Sequence, residues 1–181
     1  MFDAKQTMQD LTNRKSMSTK EALELCDALP NVEIETMIGR WRGTEISTSH
    51  PMDGLLEAFG WYGKEFIDRD HVHPLLFSDN EGKLFAIDPQ RMPVSLTLRL
   101  PIPRIKLARQ GLLAARFLLQ TRKAKARVRM IEYRGKVSAS MMYDNLPIYD
   151  TFRLIDQNTL LGVMDFKGME QPFFFKLHRD S

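Results

Sequence analysis

The chain contains 181 residues with a formal net charge of +3, an apolar fraction of 43% and a charged fraction of 27%. These values are ordinary for one soluble domain with a substantial core, so residues 1–181 are interpreted as a single domain. No apolar run approaches the roughly 20 residues needed to cross a bilayer, and the polar N-terminus lacks the apolar core of an export signal. The single Cys26 excludes an intrachain disulfide. Together these features predict a cytoplasmic protein.

Residues 1–35 predict an N-terminal helical segment. Ser18 and Glu21 form a capping box, in which the hydroxyl accepts from a helix amide and the carboxylate accepts from the amide of the capping residue. Apolar residues then follow at helical spacing until Pro30, which ends the helix. We therefore expect a helix that covers one side of a sheet.

A tryptophan between two glycines marks the start of region 36–93. Gly39, Trp41 and Gly43 are spaced two residues apart, so in a strand their side chains share one face. Glycine weakens a strand and usually marks a bend or a place where something packs close to the backbone. This pattern predicts an opening strand at about 37–46 in a curved antiparallel sheet. Trp41 is expected to plug one end of a core or pocket.

The remainder of region 36–93 predicts a second helix followed by a sharp turn. Pro51 suits the first position of the helix. Trp61 and Tyr62 lie between glycines, which favours a turn at 60–64 that places both rings against the core or across a pocket mouth. Two short strands are expected near 72–77 and 84–88.

Residues 94–125 predict a basic helical insertion with a helix at about 105–119. From Arg99 to Arg129 the chain carries ten Lys or Arg and no Asp or Glu. A basic amphipathic helix binds anionic membrane surfaces, and basic surfaces also attract nucleic acid. A solvated face on a packing helix is the third interpretation. No nucleic-acid-binding motif accompanies the charge, so nucleic acid is the disfavoured partner.

Region 126–181 predicts a meander of five antiparallel strands, because strand-like runs alternate with short turns. The five runs are 126–133, 136–143, 146–155, 159–166 and 173–178. A meander preceded by the glycine-bearing strand can close into a barrel, which removes its edge strands.

Two stretches of the chain resemble known families. The sequence GRWRGTEISTSHPMDGLLEAFGWYGKEF resembles the GXWXG-motif family of small, mostly bacterial proteins. The sequence YDNLPIYDTFRLIDQNTLLGVMDFKGMEQPFFFKLHRD resembles the companion domain of unknown function that follows it in those proteins. The motif is also similar to the first-strand G-x-W of lipocalins and fatty-acid-binding proteins. This similarity implies a lipocalin-like barrel.

The same motif is similar to the longer GxWxGxG of the nitrobindins, which are haem proteins. Here Glu45 stands where that pattern has its third glycine. Because of this departure we expect no bound cofactor. His178, which shares a strand face with Phe174 and Lys176, is the candidate haem ligand that this expectation sets aside.

Asp150 carries most of the functional prediction. In a strand it shares a face with Ile148 and Phe152, and a carboxylate on an apolar face is costly unless it is paired or protonated. Either fixed protein donors satisfy it, or it orients a ligand or acts as an acid or base. Asp165 also shares a face with apolar residues, so a paired-carboxylate site is an alternative. Lys64 or an arginine is equally compatible as a counter-ion.

The four histidines do not predict a metal centre. His71 and His73 lie on one strand face, but no cysteine or clear third carboxylate accompanies them. A surface pair is the simpler interpretation, so we expect no metal. The sequence contains no glycine-rich phosphate loop, nucleophile elbow or HExxH motif.

The sequence as a whole predicts an α+β, mainly β, fold: an antiparallel calycin or lipocalin-like barrel, or a strongly curved sheet, with N-terminal and central packing helices. We expect it to bind a small hydrophobic or amphipathic molecule in a barrel cavity. The expected ligand-binding residues are Trp41, Trp61, Tyr62, Lys64, Asp150, Phe152, Arg153 and Phe175. One alternative is an enzyme that uses Asp150 or Asp165 as general acid or base. The other is a module that contacts membranes or proteins through residues 99–129.

Overall fold

A strongly curved antiparallel sheet dominates the structure. The computed structural model describes residues 16–92 and 105–180, with side chains from 107 onward in the second range. The described strands are β1 Gly39–Ile46, β2 Trp61–Phe66, β3 Val72–Ser78, β4 Leu84–Ile87, β5 Gln120–Thr121, β6 Ala126–Tyr133, β7 Lys136–Tyr143, β8 Ile148–Asp156, β9 Thr159–Phe166 and β10 Phe173–Arg179. The described helices are α1 Thr19–Ala28, α2 Ile34–Met37, α3 Leu55–Phe59, α4 Ile105–Ala114 and α5 Arg116–Leu119, with a 3₁₀ turn at Pro89–Arg91.

Eight of these strands close into a ring. Their order is β2-β1-β10-β9-β8-β7-β6-β3, and β2 also pairs with β3 to complete the circle. The β3–β6 contact is the narrowest: Val72 pairs with Ala126, and the Lys125 amide donates to the Val72 carbonyl at 3.0 Å. β4 and β5 extend the sheet outward from β3. The predicted antiparallel barrel-like fold is confirmed.

The sheet has a buried layer on each side of β9 and β10. Inside the barrel lies the main core, which contains Trp41 and Phe152. Outside it, α1 covers a second cluster that includes Leu25 and Phe174. Because both faces of β10 are buried, the three consecutive phenylalanines Phe173–Phe175 are all inaccessible to solvent.

Helix α1 is held at both ends. The predicted capping box is present, with the Ser18 amide donating to Glu21 at 2.8 Å and the Glu21 amide donating to the Ser18 hydroxyl at 3.2 Å. At the other end, the buried Arg153 guanidinium donates to the Cys26 carbonyl at 3.3 Å, where a cation also favours the helix dipole. The ammonium of Lys136 donates to the Leu29 carbonyl just beyond the helix.

Trp41 belongs to the core of the barrel, and the prediction that its indole is buried is confirmed. Its indole is completely buried and donates to the Met37 carbonyl at 2.8 Å. The Arg179 guanidinium lies 4.2 Å from the ring centre. Trp41 and Arg179 also pair in the β1–β10 register. The strands that come first and last along the chain therefore contact each other through the Trp41 side chain.

The prediction of a turn at 60–64 is correct for Gly60 and wrong for the residues that follow it. Gly60 adopts a left-handed conformation that ends α3, but β2 begins at Trp61. β2 pairs with β1 on one side and with β3 on the other, so its backbone N–H and C=O groups are hydrogen-bonded on both sides. Aromatic residues such as Trp61 and Tyr62 are also common in strands.

The helix boundaries also differ from the prediction. α3 begins at Leu55 rather than Pro51, because the Asp53 carboxylate accepts from the His50 amide at 3.0 Å and holds a turn there. The predicted helix at 105–119 is interrupted at Ala115. Residues 1–15 of the N-terminal segment, Pro93, and residues 94–104 of the basic insertion, including Arg99 and Arg104, lie outside the described residues.

Candidate functional site

A cavity lies inside one end of the barrel, beneath α3. Its volume is about 60 Å³. That is room for roughly five water molecules, at about 10–15 Å³ each. Its apolar lining consists of Met52, Leu55, Leu56, Leu75, Pro89, Met92, Leu146, Ile148, Met164, Phe166, Phe173 and Phe175. The lining side chains that carry polar atoms are Trp61, Lys64, Tyr143 and Asp150.

An ion pair crosses the barrel at this cavity. Lys64 lies on β2 and Asp150 on β8, which stand opposite each other in the eight-strand ring. The Lys64 Nζ lies 2.8 Å from Asp150 Oδ2, and the two side chains are only 3% and 1% exposed. Lys64 also donates to the Pro74 carbonyl at 3.1 Å. The predicted inward orientation of Asp150 is confirmed, and its counter-ion is Lys64.

A bulge at Gly63 turns Lys64 into the barrel. The β2–β3 register shifts on both sides of Gly63, whose φ is 149°. A Cβ there would lie 1.9 Å from the Trp41 carbonyl oxygen, so only glycine fits. Trp61 faces inward, and strict alternation would then place Lys64 outside. The extra residue reverses the alternation, as bulges do.

Asp150 is an under-satisfied carboxylate. Lys64 lies 2.8 Å from Oδ2, and apart from this contact neither Asp150 oxygen has a hydrogen-bond partner among the described residues. We interpret the contact as an ion pair, because Coulombic attraction depends on the distance between the charges, which is 2.8 Å here. Oδ1 likewise accepts no hydrogen bond from a described residue, so this oxygen of the buried carboxylate is left unsatisfied.

Three aromatic rings surround the ammonium group. Lys64 Nζ lies 5.0 Å from the ring centre of Phe175, 5.6 Å from that of Trp61 and 5.8 Å from that of Tyr143. Desolvated cation–π contacts contribute about 2 kcal/mol or more. The rings therefore favour the charged ammonium in a place where water is excluded.

Burial shifts the acid–base properties of the site. Desolvation raises the pKa of Asp150, and the nearby Lys64 ammonium only partly opposes this effect. Desolvation also raises the pKa of the Tyr143 phenol well above its ordinary value, and the Asp150 charge adds to that shift. Tyr143 consequently remains a protonated hydrogen-bond donor across the physiological range.

Half of the predicted ligand-binding residues lie away from the cavity. Trp41 and Phe152 belong to the packed interior below the ion pair, where Phe152 contacts Phe66 edge-on. Tyr62 faces outward and donates to Asp180 at 2.6 Å. Arg153 lies on the opposite side of β8 from Asp150, under α1. The structure brings the other four together: Trp61, Lys64, Asp150 and Phe175.

Asp165 does not share the cavity with Asp150. In the β8–β9 register it pairs with Tyr149, whose hydroxyl donates to it at 3.1 Å, whereas Asp150 pairs with Met164. Alternation along the two strands therefore puts the two aspartates on opposite faces of the sheet.

Tyr143 was missed by the sequence analysis. It follows the buried Ala139 and Met141 at two-residue intervals on β7, so a strand-face count would have placed it inside. Its hydroxyl makes no hydrogen bond with any described residue.

Glu45 has a structural function at the cavity cover. Its Oε1 accepts from the Glu57 amide at 2.9 Å, and its Oε2 accepts from the Gly54 amide. These bonds satisfy free amides at the start of α3. The carboxylate at this motif position thus fastens α3 to β1 above the cavity.

The histidines are dispersed. His178 is exposed on β10, where its Nδ1 lies 3.1 Å from the Thr159 hydroxyl. His71 interacts with Asp68, and His50 is buried between the Met52 amide and the Gln171 carbonyl. Among the described residues, no cluster of three or more potential metal ligands occurs.

Folding neutralises much of the basic segment. Four of its cations form ion pairs with acidic residues from other regions: Arg116–Asp79, Lys125–Asp88, Arg127–Asp144 and Arg129–Asp70. The charge asymmetry along the sequence is therefore reduced on the surface. Of the helices described, none has the length and apolarity to cross a membrane.

Two regions of the chain, each of which contributes residues to the cavity, match known protein families. Residues 24–82 match the family described as GXWXG protein, and residues 124–179 match a domain of unknown function, DUF4334. A crystal structure of a protein from Thermomonospora curvata is 30% identical, with a TM-score of 0.74, over 99% of this chain and 100% of that one. The chain belongs to the GXWXG family. No curated protein matches it.

In this GXWXG protein the two matched regions build one site. Trp61 and Lys64 come from the first region, and Tyr143 and Asp150 come from the second. Neither region alone contains both members of the ion pair.

Proposed function

We propose that this GXWXG protein binds a small, mostly apolar molecule whose polar head meets Asp150 and Lys64. The main observation is a carboxylate that is 1% exposed and that, apart from its ion pair with Lys64, is unsatisfied in a mostly apolar cavity. Leaving such a group unsatisfied is costly, and a ligand donor relieves that cost. Apolar pockets with a few convergent polar groups are typical of small-molecule sites.

Charge balance favours a neutral head group. Lys64 and Asp150 cancel each other, so a charged ligand would leave an uncompensated charge in the apolar cavity. A hydroxyl or amide group can donate to Asp150 Oδ1 without that penalty. The small cavity volume restricts the buried part of the ligand to a few heavy atoms, unless α3 moves outward.

Binding is best tested with neutral probes and a matched pair of variants. Small alcohols and amides are titrated while tryptophan fluorescence is recorded, to which Trp61 at the cavity contributes, and native mass spectrometry of the purified protein reveals a retained ligand. Asp150→Asn should weaken binding at least about tenfold, since a charge-assisted hydrogen bond contributes roughly 1.5–3 kcal/mol. Asp165→Asn, on the outer face of the adjacent strand, is the control. Equal binding by both variants would contradict the proposal.

We propose membrane contact as a second function because α4 and α5 expose large apolar side chains. Phe117, Leu118 and Leu107 are 79%, 59% and 56% exposed. Arg122 and Lys123 follow directly, and neither forms an ion pair with any residue in the described ranges. Apolar and cationic groups together favour anionic lipid surfaces.

Liposome sedimentation tests this second function. Binding to acidic vesicles should exceed binding to neutral ones and should decrease with salt, because exposed charges are screened over about 8–10 Å at physiological ionic strength. The double variant Phe117→Ser/Leu118→Ser should lose binding. Ile67→Ser/Val137→Ser, which removes apolar residues exposed elsewhere, is the control. Equal sedimentation with both lipids would leave only a solvated basic face.

A further inference from the structure

We propose that Asp150 acts as a general base on a small ketone or aldehyde in the cavity, while Tyr143 donates a hydrogen bond to the carbonyl oxygen. The reaction would be removal and return of a proton on the carbon next to the carbonyl. This inference rests on the proposed binding function and assigns a reaction to the same site.

The Asp150 carboxylate has the surroundings that a base for a carbon acid requires. It is buried at 1% exposure, and burial raises its pKa more than the adjacent Lys64 ammonium lowers it. Lys64 lies against Oδ2, which leaves Oδ1 as the atom that would receive the proton. The walls around it are mostly apolar, so the carboxylate is poorly solvated.

Tyr143 lies where it can hold the carbonyl oxygen. In the β7–β8 register Met141 pairs with Asp150, so Tyr143 is two residues farther along the same face of β7. Diagonal neighbours of this kind have Cα atoms about 7–8 Å apart. Both side chains line the cavity, and the Tyr143 hydroxyl has no partner among the described residues. In the proposed complex a carbonyl carbon and its neighbour would lie between the two groups.

The proposed step balances without a co-reactant. Asp150 Oδ1 takes the proton, the electrons of the broken C–H bond form a C=C bond, and the carbonyl π electrons move to oxygen. The negative oxygen accepts from the Tyr143 hydroxyl, and the Lys64 ammonium supplies a fixed positive charge nearby. Asp150 then returns the proton to the same carbon, or to the far end of a conjugated system, which isomerises the double bond.

The fold also restricts the substrate. The apolar lining and the mutual neutralisation of Lys64 and Asp150 favour an uncharged carbonyl compound. A carboxylate or phosphate group would have to be buried beside Asp150, and like charges repel. The substrate class is therefore a small, neutral ketone or aldehyde that carries hydrogen on the adjacent carbon.

Deuterium exchange tests the inference directly. Cyclopentanone is incubated with the full-length protein in D₂O near neutral pD, and loss of its α-proton signal is followed by proton NMR. Wild type should exchange well above the buffer rate, and Asp150→Asn should return to that rate. Tyr143→Phe should lose at least about tenfold, since removing an oxyanion donor typically costs about 10²–10³ in rate.

A matched tyrosine–aspartate pair on the outer face of β8 and β9 provides the controls. Tyr149 and Asp165 are hydrogen-bonded to each other away from the cavity. Tyr149→Phe and Asp165→Asn should therefore exchange like wild type. Circular dichroism of each variant distinguishes a lost reaction from a lost fold, and Asp150→Glu should retain part of the exchange because it keeps a carboxylate.

Fluorescence measures binding and proton NMR measures exchange, so failure of the catalytic inference can be distinguished from failure of the proposed function. Cyclopentanone that quenches tryptophan fluorescence but does not exchange faster than buffer would overturn the catalytic inference and leave the binding function intact. Alcohols that bind while ketones do not would also overturn it. If no neutral probe binds, the proposed function itself fails.

Discussion

Replacing Lys64 by Met should destabilise the protein by an amount that grows with pH. The variant removes the cation 2.8 Å from Asp150 and leaves a buried carboxyl group with no charge partner in the cavity. Breaking a buried pair in this way typically costs about 3–5 kcal/mol. Both side chains are almost fully buried, so solvent screening does not reduce that figure.

Protonation of Asp150 sets an upper limit to the electrostatic part of the loss. An unfolded aspartate has a pKa of about 3.9, so holding it protonated at pH 7 costs about 1.4 kcal/mol for each of roughly three pH units, or about 4 kcal/mol. Burial already raises the folded-state pKa of Asp150, and removing Lys64 raises it further. The stability that Asp150 contributes is fully present at pH values below its pKa in the unfolded chain. It is lost as the pH rises through the higher pKa of Asp150 in the folded protein. The loss in Lys64→Met should therefore decrease from pH 7 toward pH 4.

Urea denaturation followed by tryptophan fluorescence at pH 5, 6 and 7 measures this dependence. The double variant Lys64→Met/Asp150→Leu should regain most of the lost stability, because a buried ion pair can be replaced by apolar residues at little cost. Lys176→Met, on the outer face of β10, is the control for loss of a lysine. A loss that does not change with pH, or a double variant as unstable as the single one, would refute the reasoning.

Three further predictions concern other parts of the molecule. Trp41→Ala should cost about 3–5 kcal/mol, because it empties a fully buried site, and an unchanged denaturation midpoint would show that the ring is not a core plug. Asp150→Asn should become more stable relative to wild type as pH rises above about 4, because the raised pKa of Asp150 means that wild type loses stability as the carboxyl ionises; a pH-independent difference measured by thermal melting would argue against a raised pKa. Added haem should give no Soret band, because His178 is exposed outside the barrel and Glu45 is engaged with α3. A Soret band that His178→Ala abolishes would reverse this expectation.

The sequence was informative where side-chain alternation and turn chemistry act locally. The five C-terminal strands are joined by short turns, so their order and antiparallel pairing follow from neighbouring residues alone. The capping box at Ser18 and the inward orientation of Asp150 are likewise local properties. Each was predicted correctly because no distant segment changes the outcome.

The site itself depends on long-range features that a single sequence does not display. The bulge at Gly63 brings its backbone so close to that of Trp41, on another strand, that only glycine fits, and without the bulge Lys64 would point outward. Arg153 was expected to orient a ligand, but α1 buries the outer face of the sheet as well as the inner one. When both faces are buried, alternation identifies two sets of residues without showing which set lines the cavity.

Pairing of β1 with β10 has a consequence for how the protein is made. On the ribosome, β1 emerges before every other described strand and its partner β10 after all of them. Until β10 arrives, the edges of β1 and β9 that it will occupy present unpaired backbone groups, which are templates for aggregation. Contacts so distant along the chain also slow folding, because their loop-closure entropy is lost before the contacts form. The ring thus completes only after synthesis of Phe173–Arg179, and a nascent chain halted earlier should depend on chaperones to remain soluble.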